Sequence, residues 1–84
     1  MNYYKALELE ENGKETGKFQ FTQTNDDRTW PVGYCGTERH THASKIEASD
    51  CYRKYCREQN NGKMPGGFDM SSEEGTELEF FGSY

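Results

Sequence analysis

An α+β fold, a small antiparallel β-sheet with one helix packed across one face, follows from three features of this chain. Residues 3–10 and 16–24 alternate with a period of two and are joined across Asn12-Gly13. Ser44 to Gln59 is a single capped segment of helical periodicity. Alternation then returns over residues 76–81. The element order is β-β-β-α-β, and 84 residues make one domain, 1–84. Strands with one apolar face and a helix with one apolar stripe bury both by stacking in two layers.

In the first strand Tyr3, Lys5, Leu7 and Leu9 share one face and Tyr4, Ala6, Glu8 and Glu10 the other. We take the leucine face as the core face. Asn-Gly suits a tight turn in which both central residues have positive φ, so residues 3–24 form a hairpin. Phe19 and Phe21 point one way in its second strand. Trp30, Val32 and Tyr34 alternate in a third strand, with Pro31 at an edge or strand start because it lacks an amide proton. Ser44-Lys45-Ile46-Glu47 is a capping box opening the helix. At about 100° per residue, Ser44, Ala48, Cys51, Tyr52, Tyr55 and Gln59 form its inner stripe. Arg53, Lys54 and Arg57 fall on the solvent arc. Asn60-Asn61-Gly62 stops the helix. Phe68-Asp69-Met70 is a candidate short strand, and Thr76 to Phe81 is the last, with Leu78 and Phe80 inward. The expected core is Leu7, Leu9, Phe19, Phe21, Trp30, Tyr34, Ala48, Tyr52, Tyr55, Leu78 and Phe80.

Leu, Ile, Val and Phe number only ten, so the twelve aromatics must supply much of the core. Net charge is −5, and residues 64–84 carry five acids and no base. Such a surface does not grip phosphates, which takes clustered Lys and Arg, but it suits a basic protein partner. The expected contact residues are Asp69, Glu73, Glu74, Glu77 and Glu79. Three cysteines, an odd number, with no basic leader and apolar run at the start, fit a reducing cytoplasm. No stretch approaches the ~20 apolar residues of a membrane span.

Chemistry-bearing residues concentrate in Cys35, His40, His42, Cys51 and Cys56. Cys and His are zinc ligands, but the spacing is unlike that of common structural sites. Cys51 and Cys56 lie about 140° apart on a helix, so one ion does not take both. Cys35, His40, His42 and Cys51 remain as an alternative metal set. We rank the plainer reading first, in which the helix cysteines are small buried hydrophobes. On that reading the chain has no metal, no cofactor and no catalytic residue. A thiol enzyme using Cys35 with His40 as its base is a further alternative, with no third member or oxyanion loop to support it.

Pro31-Val32-Gly33-Tyr34-Cys35, followed by His42-Ala43-Ser44-Lys45-Ile46-Glu47-Ala48, Cys51-Tyr52 and Tyr55, resembles small proteins encoded by bacteriophages. The resemblance spans residues 31–56. It implies a phage or mobile-element origin, and with it the host bacterial cytoplasm. Anti-CRISPR proteins are a prominent group among such small acidic proteins. The expected function is therefore a non-catalytic protein-binding module, an anti-defence inhibitor that sets its acidic surface against a basic, nucleic-acid-handling partner without touching nucleic acid itself. The alternatives are the zinc-stabilised adaptor and the thiol-dependent enzyme.

Overall fold

The computed structural model describes residues 2–59 and 74–82. β1 (Asn2–Glu11), β2 (Lys14–Asn25), β3 (Arg28–Pro31) and β4 (Glu79–Gly82) form one antiparallel sheet in the order β3-β2-β1-β4. A one-turn helix α1 (Tyr34–Thr37) and the long helix α2 (Lys45–Gln59) follow β3. This is the expected α+β architecture, with α2 across one face of the sheet. The first hairpin turns at Asn12 and Gly13, whose φ values of 53° and 78° are the positive pair expected there. The candidate strand at Phe68-Asp69-Met70 lies outside the described residues.

The sheet presents Tyr4 and Ala6 to the helix rather than Leu7 and Leu9. The hairpin register explains the reversal. Ala6 pairs with Phe21 and Glu8 with Phe19, and paired residues share a face. The face that carries both phenylalanines therefore carries Tyr4 and Ala6. Leu7 is half-buried on the opposite face, and Leu9 is half-buried at an irregularity between Glu8 and Glu10. On the helix side the Tyr4 ring stacks on Phe80 at 4.7 Å between centroids, and Tyr52 stacks on Phe21 at 4.3 Å. Ala48, Cys35, Cys56 and Leu78 complete the buried cluster. Trp30 stays half-buried beside the Arg28 guanidinium, and Tyr34 is half-buried edge-on to Tyr55.

The third strand ends at Pro31, earlier than the alternation suggests. Gly33, at φ 66°, turns the chain, so Tyr34 and Cys35 lie in α1. The last strand is likewise shorter than 76–81, although Leu78 is buried and Phe80 packs on the core as expected.

Helix α2 is rotated from its expected phase. Its buried residues are Ala48, Ser49, Tyr52, Arg53 and Cys56. Arg53, expected on the solvent arc, is fully buried. The cause is the segment entering β4, which packs along this flank. Arg53 pairs with Asp50 and donates to the Thr76 hydroxyl at 2.9 Å. Asp50 accepts from the Gly75 amide at 3.1 Å, and Ser49 Oγ accepts from the Leu78 amide at 2.9 Å. These polar contacts dock β4 where hydrophobic periodicity alone leaves a charged arc.

Removing the Arg53 side chain strips charge-assisted bonds from Asp50 and Thr76. Arg53→Ala should cost about 2–3 kcal/mol, whereas Lys54→Ala, on the exposed side, should stay within about 0.5 kcal/mol. Urea midpoints at unchanged m-value measure both. Equal midpoints for the two variants would contradict the docking role.

Candidate metal centre

β3 pairs with β2 only over Thr22–Asn25, which leaves the β2 edge at Phe19 for another partner. The connection after α1 takes it. His42 and Phe19 exchange both backbone hydrogen bonds, at 2.8 and 2.9 Å. His42 is thereby held on the face of Phe19, beneath the helix layer. The His40 ring lies 6.0 Å from that of His42, and the Gln20 side-chain amide fixes the His40 carbonyl at 2.9 Å. Arg39, at φ 56°, makes the left-handed turn that swings the chain from α1 into this stretch. Such a turn at a non-glycine residue costs about 1–2 kcal/mol.

Two tight approaches place Cys35. A Cβ at Gly33 would stand 2.9 Å from the Tyr52 ring. One at Gly36 would stand 2.5 Å from the Pro31 carbonyl oxygen. Only glycine fits either point, so α1 presses against β3 and α2, and Cys35 between the two glycines is 1% exposed. Cys51 comes from the flank of α2 and is half-buried.

Three elements thus deliver three donors to one point. The ligand atoms of Cys35, His42 and Cys51 lie within 4.8 Å of one another. The sulfurs of Cys35 and Cys51 are 3.9 Å apart, Cys35 Sγ is 3.4 Å from His42 Nε2, and Cys51 Sγ is 3.7 Å from His40 Nδ1. Zinc bonds of about 2.3 Å to sulfur and 2.0–2.1 Å to nitrogen, at a tetrahedral angle, separate two sulfurs by about 3.8 Å and a sulfur from a nitrogen by about 3.6 Å. The two distances within the Cys35, His42 and Cys51 group match, and His40 stands at a similar distance from Cys51 without joining the group that converges within 4.8 Å. Glu38 sits 2.6 Å from His40 Nε2. An ionised carboxylate there keeps the proton on Nε2 and leaves the Nδ1 lone pair toward Cys51, the arrangement that metal-binding histidines commonly have.

The sequence spacing that argued against this set is overcome by the fold. The bridge at Phe19 and the glycine-bracketed turn of α1 bring together residues that no short motif spans. The other sequence-derived pairing, Cys35 with His40, is not formed; Cys35 lies beside His42, and His40 beside Cys51. Cys56 is fully buried in the core, the small hydrophobe expected of it. Of the acidic contact residues, Glu77 and Glu79 are exposed, and Glu74 is exposed and pairs with Arg57. Asp69 and Glu73 lie outside the described residues. Among the described residues, no helix is long and apolar enough to cross a membrane.

The cysteine pair shares a proton unevenly. The hydrogen bond with Cys51 holds the Cys35 thiol down, from 9.0 to about 5, and a backbone hydrogen bond with Phe21 and the His42 ring act the same way against the opposing effect of burial. Cys51 is pushed up by the same bond, by burial and by the Cys35 charge. Comparison with protein-family models, with curated proteins and with solved structures returned no match.

A group whose folded value is depressed adds stability above its unfolded value and loses it as pH falls through the folded one. For the metal-free protein, the Cys35 contribution is complete above pH 9.0, shrinks below it and is gone below about 5. Ultraviolet thiolate absorbance should show one thiol titrating near the lower value and vanishing in Cys35→Ser. Absence of thiolate at neutral pH would contradict the pairing.

Proposed function

We propose that the chain is a zinc-stabilised, non-catalytic protein-binding module. The observation that supports this reading is the convergence of the Cys35, His42 and Cys51 ligand atoms within 4.8 Å of one another, with His40 Nδ1 beside Cys51. With His40 drawn in as a fourth ligand the site would be closed, and closed zinc sites are structural, since catalytic zinc keeps a position for water or substrate. Zinc here ties α1, the histidine connection and α2 to one another, and through His42 to β2. The thiol-enzyme alternative fits the geometry less well, because its nucleophile would be a sulfur that is 1% exposed. The contact surface we assign to Glu77 and Glu79, exposed on either side of buried Leu78, where backbone pairing holds Glu79 opposite Lys5 of β1. Exposed like charges on a rigid edge suit a basic partner and mainly raise its association rate.

The test is a melting curve of tag-free protein with and without zinc. Free zinc at one hundred times Kd adds about 2.7 kcal/mol, or roughly 10–20 °C in Tm for a domain this size. His42→Ala and Cys51→Ala should lose the zinc response, and Glu38→Gln should weaken zinc binding by about 10–100-fold. Because Cys35 is already held deprotonated, binding at neutral pH should release about one proton, from Cys51. Glu77→Gln with Glu79→Gln should leave Tm and the zinc response unchanged while slowing, in a salt-sensitive way, association with a partner recovered by pull-down. A Tm indifferent to zinc would overturn the zinc reading; unchanged association rates across salt would overturn the acidic contact.

A further inference from the structure

We propose that Cys35 and Cys51 form a hydroperoxide-reactive dithiol whose closure to a disulfide expels the metal. The inference rests on the zinc reading for its consequence, but its chemistry needs only the two sulfurs. They stand 3.9 Å apart, on separate helices. A disulfide needs about 2.05 Å, so closure asks for an approach of only about 2 Å. One sulfur arises from a single helical turn, the other from the flank of α2.

The two sulfurs differ in access. Cys51 lines an open surface cleft of about 550 Å³ together with Tyr34, Glu38, His40, Glu47 and Lys54, whereas Cys35 is not among the cleft's lining residues. That volume admits a small hydroperoxide with ease. In the zinc-loaded protein both sulfurs are ligands and therefore thiolates, and reaction begins at Cys51, the accessible one. Its sulfur attacks the distal peroxide oxygen, the O–O bond breaks, and the alkoxide leaves as an alcohol after taking one proton. This gives a sulfenic acid on Cys51. Cys35 Sγ then attacks the Cys51 sulfur, the S–S bond forms, and hydroxide departs as water after taking a second proton. Two thiolates, one hydroperoxide and two protons give one disulfide, one alcohol and one water. The sulfur pair loses two electrons and the peroxide gains them. A disulfide sulfur is a poor zinc ligand, because the thiolate is the ligand form. Both sulfur ligands go in one reaction, and two histidines remain.

Cys56 supplies an internal control. Its side chain is fully buried in the core, and it lies about 140° around the helix from Cys51. A reaction governed by thiol content alone would involve it; one governed by this geometry leaves it reduced.

The experiment treats the full chain, zinc-loaded and metal-free, with equimolar hydrogen peroxide. Released zinc is read with a chromogenic chelator, and disulfides by peptide mapping after alkylation. The expected result is one zinc released per Cys35–Cys51 disulfide, an alkylatable Cys56, and recovery of zinc binding after dithiothreitol. Cys56→Ser should behave as the wild type, which keeps the test in hand if Cys35→Ser or Cys51→Ser does not fold. A disulfide to Cys56, a disulfide between chains, or conversion to sulfinic acid without a disulfide would overturn the dithiol. Zinc bound and retained through peroxide treatment would overturn it while leaving the metal site intact. A protein that closes the Cys35–Cys51 bond but binds no zinc would overturn the expulsion step and the zinc reading together, and leave only the dithiol.

Discussion

The Tyr52 ring is the contact on which the rest of the molecule depends. It stacks on Phe21 of β2 at 4.3 Å and lies 6.2 Å from both Tyr4 of β1 and Phe80 of β4, so one side chain of α2 meets three strands. Its edge also fills the space a Cβ would take at Gly33. Sheet packing and site assembly are therefore one event. The ring that seats the helix on the sheet also sets how closely the turn before Cys35 approaches. Loss of the ring removes about 3–5 kcal/mol of aromatic burial and, with it, the support of the site.

A chain of this size buries only roughly 60% of the surface its unfolded form exposes, and here much of that surface is polar. Ten Leu, Ile, Val and Phe residues are few for the task. Natural domains near this limit commonly add a disulfide, a metal or a partner. The Cys35, His42 and Cys51 cluster stands where such a staple has most effect. It joins three segments outside the four strands: one-turn α1, the loop through His40 and His42, and the flank of α2. The buried Arg53 serves the opposite flank, tying Asp50 and Thr76 to dock the β4 segment.

Local rules made much of the fold legible. Asn12-Gly13 between alternating runs marked the hairpin, and Ser44-x-x-Glu47 marked the helix start. The Glu47 amide does donate to Ser44 Oγ at 3.2 Å, although its carboxylate accepts from Ala43 rather than Ser44. What local rules misplaced were faces. Leu7 outweighed Ala6 in hydrophobicity, yet pairing with Phe21 decided which side met the helix. Arg53 read as solvated because a charge is expected outside; beside the local pair with Asp50, it bonds Thr76 of a segment more than twenty residues away. Ligand types were visible in Cys35, His40, His42 and Cys51, but the convergence of Cys35, His42 and Cys51 was not. It depends on a backbone bridge from His42 to Phe19 and on two glycines pressed against Tyr52 and Pro31. Bridges and close approaches of that kind carry no periodic signal. The glycines flanking Tyr34-Cys35 were a trace available in the sequence, since glycine is the residue of choice where a backbone is turned sharply or closely approached.

The most direct measurement of the central claim is a cobalt(II) titration of reduced, tag-free protein. Cobalt takes zinc's place and reports its ligands. Ligation by Cys35, His42 and Cys51, with His40 drawn in as the fourth ligand of the proposed site, should give saturation at one equivalent, intense visible bands of tetrahedral cobalt, and a near-ultraviolet thiolate-to-cobalt band that zinc displaces. Weak octahedral absorption with no thiolate band would mean that the four side chains do not hold an ion together, and would contradict the account.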